Sequence, residues 1–256
     1  KIIPPEAEYQ NFTFFAFSFT LPPMRLGLHV SVAGGVVNAP ANAAAYGCEV
    51  FQMFTRSPRG GTPPPITPAV AAEFGTQMRQ HHQPAAYVHT PYFVNFASPV
   101  NRIRHGTIAI VRQELERRRQ LGVAALMTHL GSAKEVGSAK GQELVVDGLR
   151  EVLDGYTGST RFLIELAAGA GAVLGGTFEE IADYLRQTEK IKPAWRGNIG
   201  VCLDTCHAFA AGYDLRTPAA VDATLKQFDA SIGLNRLVLV HANDSKVAPG
   251  SGVDRH

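Results

Sequence analysis

Short runs rich in β-branched and aromatic residues alternate along this chain with longer stretches whose apolar residues recur at three- and four-residue steps, and this alternation leaves few folds open. The runs at 26–30, 50–54, 85–89, 124–129, 161–165, 199–204 and 236–241 read as strands, and the segments at 100–121, 142–153, 178–188 and 218–231 as amphipathic helices. Thr177 ahead of Glu180, and Thr217 ahead of Pro218, have the form of helix starts. Strand and helix in turn place the chain in the α/β class with parallel strands and helical crossovers, as an open doubly wound sheet or a closed (β/α) barrel. Ser31-Val32-Ala33-Gly34-Gly35 follows the first strand but lacks the glycine spacing of a dinucleotide fingerprint, and no acidic residue closes the second strand. A dinucleotide role is therefore not expected, while both architectures stay open at this point.

A chain of 256 residues, 45% hydrophobic and 18% charged, suffices for one large domain. The net charge of +2 does not announce a nucleic-acid binder, so any such surface must be a local cluster of Arg and Lys. Cys48, Cys202 and Cys206 form an odd set without a C-x-x-C pair, which argues against a disulfide framework and fits a reducing cytoplasm. The apolar run at 12–21 is too short to span a bilayer, and Glu6 and Glu8 precede it where a secretory signal would be basic, so neither membrane nor export is expected. Met24 directly precedes the first strand; residues 1–23 are expected to be an N-terminal extension outside the barrel, and 24–256 the barrel domain.

Five consecutive strands end on a residue that can ligate metal: His89, His129, Glu165, Asp204 and His241. In a barrel the carboxyl ends of all strands open onto one face, which would gather these residues. A single strand-end His is more often a hydrogen-bonded structural residue, but five in succession are not explained that way. His207, three residues beyond Asp204, and Asp254 and His256 bring the candidates to eight. Imidazole and carboxylate without thiolate suit zinc, with manganese or iron less so. Eight ligands exceed one tetrahedral ion, so two or three metals sharing a bridging carboxylate are expected, an arrangement typical of phosphoester hydrolysis. Cys202 shares the inward face with Asp204 and reads as core packing; His29 could line the pocket, while His81, His82 and His105 read as solvated.

The segment Gly200-Val201-Cys202-Leu203-Asp204-Thr205-Cys206-His207-Ala208-Phe209-Ala210-Ala211-Gly212-Tyr213-Asp214 resembles a signature of the endonuclease IV family of apurinic/apyrimidinic endonucleases, which share the xylose-isomerase-like (β/α)8 TIM barrel. Val240-His241-Ala242-Asn243-Asp244-Ser245-Lys246 and Val253-Asp254-Arg255-His256 resemble two more of its signatures. The resemblance implies three zinc ions: one on His89, His129 and Glu165, a second bridged by Glu165 and held by Asp204 and His241, and a third on His207, Asp254 and His256. Glu165, with the zinc cluster, would carry catalysis: a zinc-activated hydroxide attacks the phosphodiester 5′ to an abasic site, leaving 3′-hydroxyl and 5′-deoxyribose phosphate ends. The implied partner is double-stranded DNA containing abasic sites, bound by a monomer. Tyr92 matches a family position near the lesion, and Arg56, Arg59, Arg216, Lys246 and Arg255 are expected to contact DNA.

Several positions depart from the family pattern. Gly60-Gly61 stands where many members place a Trp after Phe54-Thr55-Arg56-Ser57-Pro58-Arg59, which bears on how the abasic nucleotide is held out of the stack. Leu166-Ala167 and Ala133 replace more polar residues beside the ligands, which bears on their orientation. The sequence ends at His256, before the eighth β/α unit that in the family brings a further glutamate to the second zinc; the barrel is therefore expected to stay open, with low stability and weak activity. Two rival readings are a single-metal sugar isomerase or epimerase on the same barrel, using Glu165, Asp204 and His241, and a DNA-lesion binder that does not cut.

Overall fold

The computed structural model describes residues 24–256. The expected extension at 1–23 lies outside them. One sheet of seven parallel strands runs in sequence order: β1 Gly27–His29, β2 Val50–Met53, β3 Ala86–His89, β4 Ala125–Thr128, β5 Arg161–Glu165, β6 Ile199–Asp204 and β7 Leu237–His241. Helices cross between them: α1 Ala39–Ala45, α2 Pro68–Gln80, α3 Asn101–Leu121, α4 Ser138–Leu153, α5 Phe178–Ile191, then α6 Thr205–Ala211 and α7 Pro218–Ser231 in series. Each strand pairs only with its sequence neighbours, as in a barrel wound in one direction. Among the described residues β1 and β7 are the two edges, and Leu26 and Leu28 beside that opening are mostly exposed.

The expected helices are all present, and three others, α1, α2 and α6, join them. Thr177 and Thr217 cap α5 and α7 by accepting hydrogen bonds from the backbone N–H of Glu180 and Ala220, with Pro218 in the first turn of α7. No helix among the described residues is long and apolar enough to cross a membrane.

Alternation along the strands sorts the side chains into two sets. One set faces the helices: Phe51, Met53, Val88, Leu126, Phe162, Ile164, Val201 and Leu203 pack with α3, α4 and α5 into the main core. The opposite set fills the lumen, where Ala125, Met127, Leu163 and Cys202 form a small buried plug with Tyr87, Val238 and Leu239 around it. Cys202 is thus core packing, as its alternation with Asp204 predicts. The same inward parity carries His29, Gln52, His89, Glu165, Asp204 and His241 at the strand ends above that plug. The barrel therefore delivers its polar side chains to one mouth.

Candidate metal centre

Glu165, at the end of β5 and almost wholly buried, is the hub of this mouth. Its Oε2 lies 2.8 Å from His89 Nε2 and 3.5 Å from His129 Nε2. Its Oε1 lies 2.9 Å from His241 Nδ1 and 3.7 Å from His207 Nδ1. One carboxylate thus shares its two oxygens between two groups of histidines. Burial opposes its ionisation, but His129, His241 and His89 outweigh that cost and hold the carboxyl well below the ordinary range.

Backbone carbonyls orient two of the rings. His89 Nδ1 donates to the carbonyl of Thr90 at 2.6 Å, and His207 Nδ1 donates to that of Leu166 at 2.8 Å. A ring whose Nδ1 carries the proton leaves the Nε2 lone pair free, which is the form a metal binds. Leu166 departs from the family pattern in its side chain, yet its carbonyl supplies the contact that orients His207.

Asp204 serves twice. Its Oδ1 accepts from the His207 backbone N–H at 2.9 Å and so caps α6, while Oδ2 accepts from Asn243 Nδ2 at 2.7 Å and lies 3.6 Å from His241 Nδ1. Burial works against its charge, but His241 and His207 keep its carboxyl below the usual value. For His241 burial likewise opposes protonation, and contacts to Asp204, Cys202 and Glu165 overcome it, raising the ring to about 12 in the metal-free protein. His129 moves the other way, lowered by burial against the pull of Glu165.

Asp254 and His256 approach from the C-terminal segment: Asp254 Oδ2 lies 3.3 Å from His207 Nε2, and Asp254 Oδ1 lies 3.0 Å from His256 Nδ1. All eight expected ligands therefore converge at one end of the sheet. Their donor atoms fall into compact groups, within 4.8 Å of one another, of His89 with His129 and Glu165, and of Glu165 with Asp204 and His207. Cys206 lies equally close to Asp254 and His256, and Cys202 to Glu165 and His241. Burial pushes the Cys202 thiol up to about 12, so at neutral pH it is not a ready ligand. Imidazole nitrogens clustered about ionised carboxylates form a donor set that fits a divalent metal.

Gln52 and Asn243 are the residues that sequence reasoning misses. Gln52 is signalled only as a polar residue in an apolar strand, and Asn243 only as a member of the segment around His241, with no role of its own. Gln52 Oε1 lies 2.7 Å from His241 Nε2, and Gln52 Nε2 lies 2.9 Å from His29 Nδ1. His29 does line the pocket, with its ring 4.5 Å from that of Phe54. Its pKa is lowered to about 4 by burial of much of the ring and by His89 and His241.

The residues expected to contact DNA divide. Arg59 is exposed on the loop at 54–67, and Tyr92, 67% exposed, stands at the mouth with its ring 5.6 Å from Phe54 and 5.7 Å from His89. Lys246 and Arg255 are exposed and linked through the Lys246 N–H and the Arg255 carbonyl at 2.9 Å, while Arg216 forms a two-pronged pair with Asp214. Arg56 lies underneath: only 8% exposed, it sits 3.7 Å from the fully buried Glu114 of α3 and donates to Gln113 at 3.2 Å. Arg117 joins the same cluster, donating to the carbonyls of Thr55 and Pro64 at 2.6 Å each. Arg56 and Arg117 pin the loop from beneath, and Arg59 rides on top.

Residues 40–256 match the family described as xylose isomerase-like TIM barrel. Probable endonuclease 4 of Chloroflexus aurantiacus is 38% identical over 233 residues, covering 91% of this chain and 80% of that protein. The protein of the same name from Methanoculleus marisnigri is 39% identical over 232 residues, covering 90% and 80%. The crystal structure of endonuclease IV from Thermus thermophilus superposes with a TM-score of 0.80 at 34% identity, covering 91% of this chain and 81% of that one. A D-tagatose 3-epimerase-like protein at 20% identity and a TM-score of 0.60 shares the fold alone.

Proposed function

Because the chain belongs to the endonuclease IV family of xylose isomerase-like TIM barrels, DNA-cleaving hydrolases, we propose that it hydrolyses the phosphodiester 5′ to an abasic site in double-stranded DNA, leaving 3′-hydroxyl and 5′-deoxyribose phosphate ends. The observation that carries this reading is the divided carboxylate of Glu165, facing His89 and His129 with one oxygen and His241 with the other. A sugar epimerase built on one metal would leave His89, His129, His207, Asp254 and His256 without a purpose.

His89, His129 and Glu165 would hold one zinc, Glu165, Asp204 and His241 a second, and His207, Asp254 and His256 a third. Zinc bound there supplies Lewis-acid stabilisation of the phosphoryl charge and acidifies a water. The chain's own residues do the rest. Glu165 and Asp204 stay ionised in the buried mouth, and the carbonyls of Thr90 and Leu166 fix the two rings that present Nε2. Tyr92, backed by Phe54, offers an aromatic face to the nucleotides flanking the lesion. Arg59, Lys246 and Arg255 lie exposed for the phosphates, and Arg216 joins them where Asp214 is displaced. The protein acts as a monomer in the cytoplasm, where its free cysteines stay reduced.

The test is a duplex carrying one tetrahydrofuran abasic analogue, incubated with zinc-loaded protein. A single nick 5′ to the analogue, with a 3′ end that a polymerase extends, is the expected result. Binding without nicking would overturn the reading in favour of a lesion binder.

A further inference from the structure

We infer that Gln52 is the positioning residue that sets the tautomer of His241 and so makes its Nδ1 available to metal. The inference rests on the proposed zinc site and adds to it a residue outside the ligand set. Gln52 lies on β2 and His241 on β7, 189 positions apart. Their side chains meet in the lumen, on the side where β1 and β7 do not pair.

The amide can be placed two ways, and each fixes a different imidazole. With Oε1 toward His241, the ring donates Nε2–H at 2.7 Å, so the proton it would yield to a metal is the one on Nδ1, which faces Glu165 and Asp204 at 2.9 and 3.6 Å. Gln52 Nε2 then donates to His29 Nδ1 at 2.9 Å, which a neutral His29 accepts. With the amide reversed, Gln52 would donate to Nε2, and a neutral His241 would carry its proton on Nδ1, against the carboxylates. Only the first placement keeps the proton on Nε2 and lets Nδ1 give up its own where the carboxylates gather. His29 therefore anchors the amide, and the amide orients the ring.

Among the described residues, no backbone carbonyl holds the ring at position 241 in the way that fixes His89 and His207. Gln52 takes that part for it. Phe51 and Met53, on either side, face the main core, so the strand holds Gln52 inward.

The experiment measures zinc affinity by competition with a chromogenic chelator on the full chain, together with long-range proton–nitrogen spectra of the zinc-loaded protein. Gln52→Met keeps the shape and removes the acceptor; it is expected to weaken the tightest zinc affected by about 10- to 100-fold and to erase the Nε2–H signal of His241. Gln52→Glu restores an acceptor and should hold affinity within about threefold of the unaltered protein. Equal affinity in Gln52→Met, or equal losses in both variants, would overturn the inference while leaving the zinc site standing. Absence of zinc binding by the unaltered protein would instead overturn the metal reading, and this inference with it.

Discussion

Glu165 Oε1 and His241 Nδ1 face each other at 2.9 Å, and in the metal-free protein each favours the charged form of the other. The folded carboxyl lies below its ordinary 4.5, so its stabilisation is complete above that pH and is lost as the pH falls through the folded value. The folded imidazole is raised from 6.5 to about 12, so its stabilisation is complete below 6.5 and is lost as pH rises toward about 12. Urea midpoints of the metal-free protein should therefore decline on both sides of a maximum near pH 6.5, because the lowered His29 and His129 also withdraw stability as the pH falls below their ordinary 6.5. If His241 holds zinc through Nδ1 as proposed, zinc uptake at pH 7 should release about one proton from this ring, read by calorimetry in buffers of different ionisation enthalpy.

Glu165→Gln keeps the shape of the hub and removes its charge. Nicking of the abasic duplex should fall by two to three orders of magnitude, about the scale for loss of one group that stabilises a transition state. Bound zinc per chain should fall with it. Full activity in this variant would remove Glu165 from the chemistry.

Arg56 and Arg59 are three residues apart and should behave oppositely. Arg56→Ala leaves Glu114 short of a buried partner and should cost on the order of 3 kcal/mol of stability, while the salt dependence of DNA binding stays unchanged. Arg59→Ala should leave the melting temperature alone and lower the slope of log K against log salt by about 1. A lowered salt slope in Arg56→Ala would make that residue a phosphate contact after all.

Asn243→Ala strips Asp204 Oδ2 of its 2.7 Å donor. Zinc affinity should weaken by about 10- to 100-fold, measured by chelator competition, and melting of the metal-free protein should show a loss of about 1–3 kcal/mol as the buried carboxylate goes short of a donor.

Much of the fold and site was legible because both follow from alternation. The inward parity of a strand ties Cys202 to Asp204 and Leu163 to Glu165, so the lumen plug and the polar mouth are both written in two-residue steps. The seven strands follow from the same periodicity. What escaped was either masked by another reading of the same residue or depends on contacts distant in sequence. Helix α6 begins on a cap made by Asp204, a residue that reads first as a ligand. The burial of Arg56 depends on Glu114 of α3, and the role of Gln52 on a partner 189 residues away. No local pattern carries either.

Glu165 has one partner 76 residues before it, His89, and another 76 residues after it, His241. Both pairings need the third, fifth and seventh strands docked together, so they are expected to be completed late in folding. A cation held between them thus favours the finished state over the folding transition state. It should lengthen the native lifetime by slowing unfolding and leave the folding rate nearly unchanged. If it holds a cation as proposed, the cluster is in that sense a kinetic latch on the barrel, closed last and opened first.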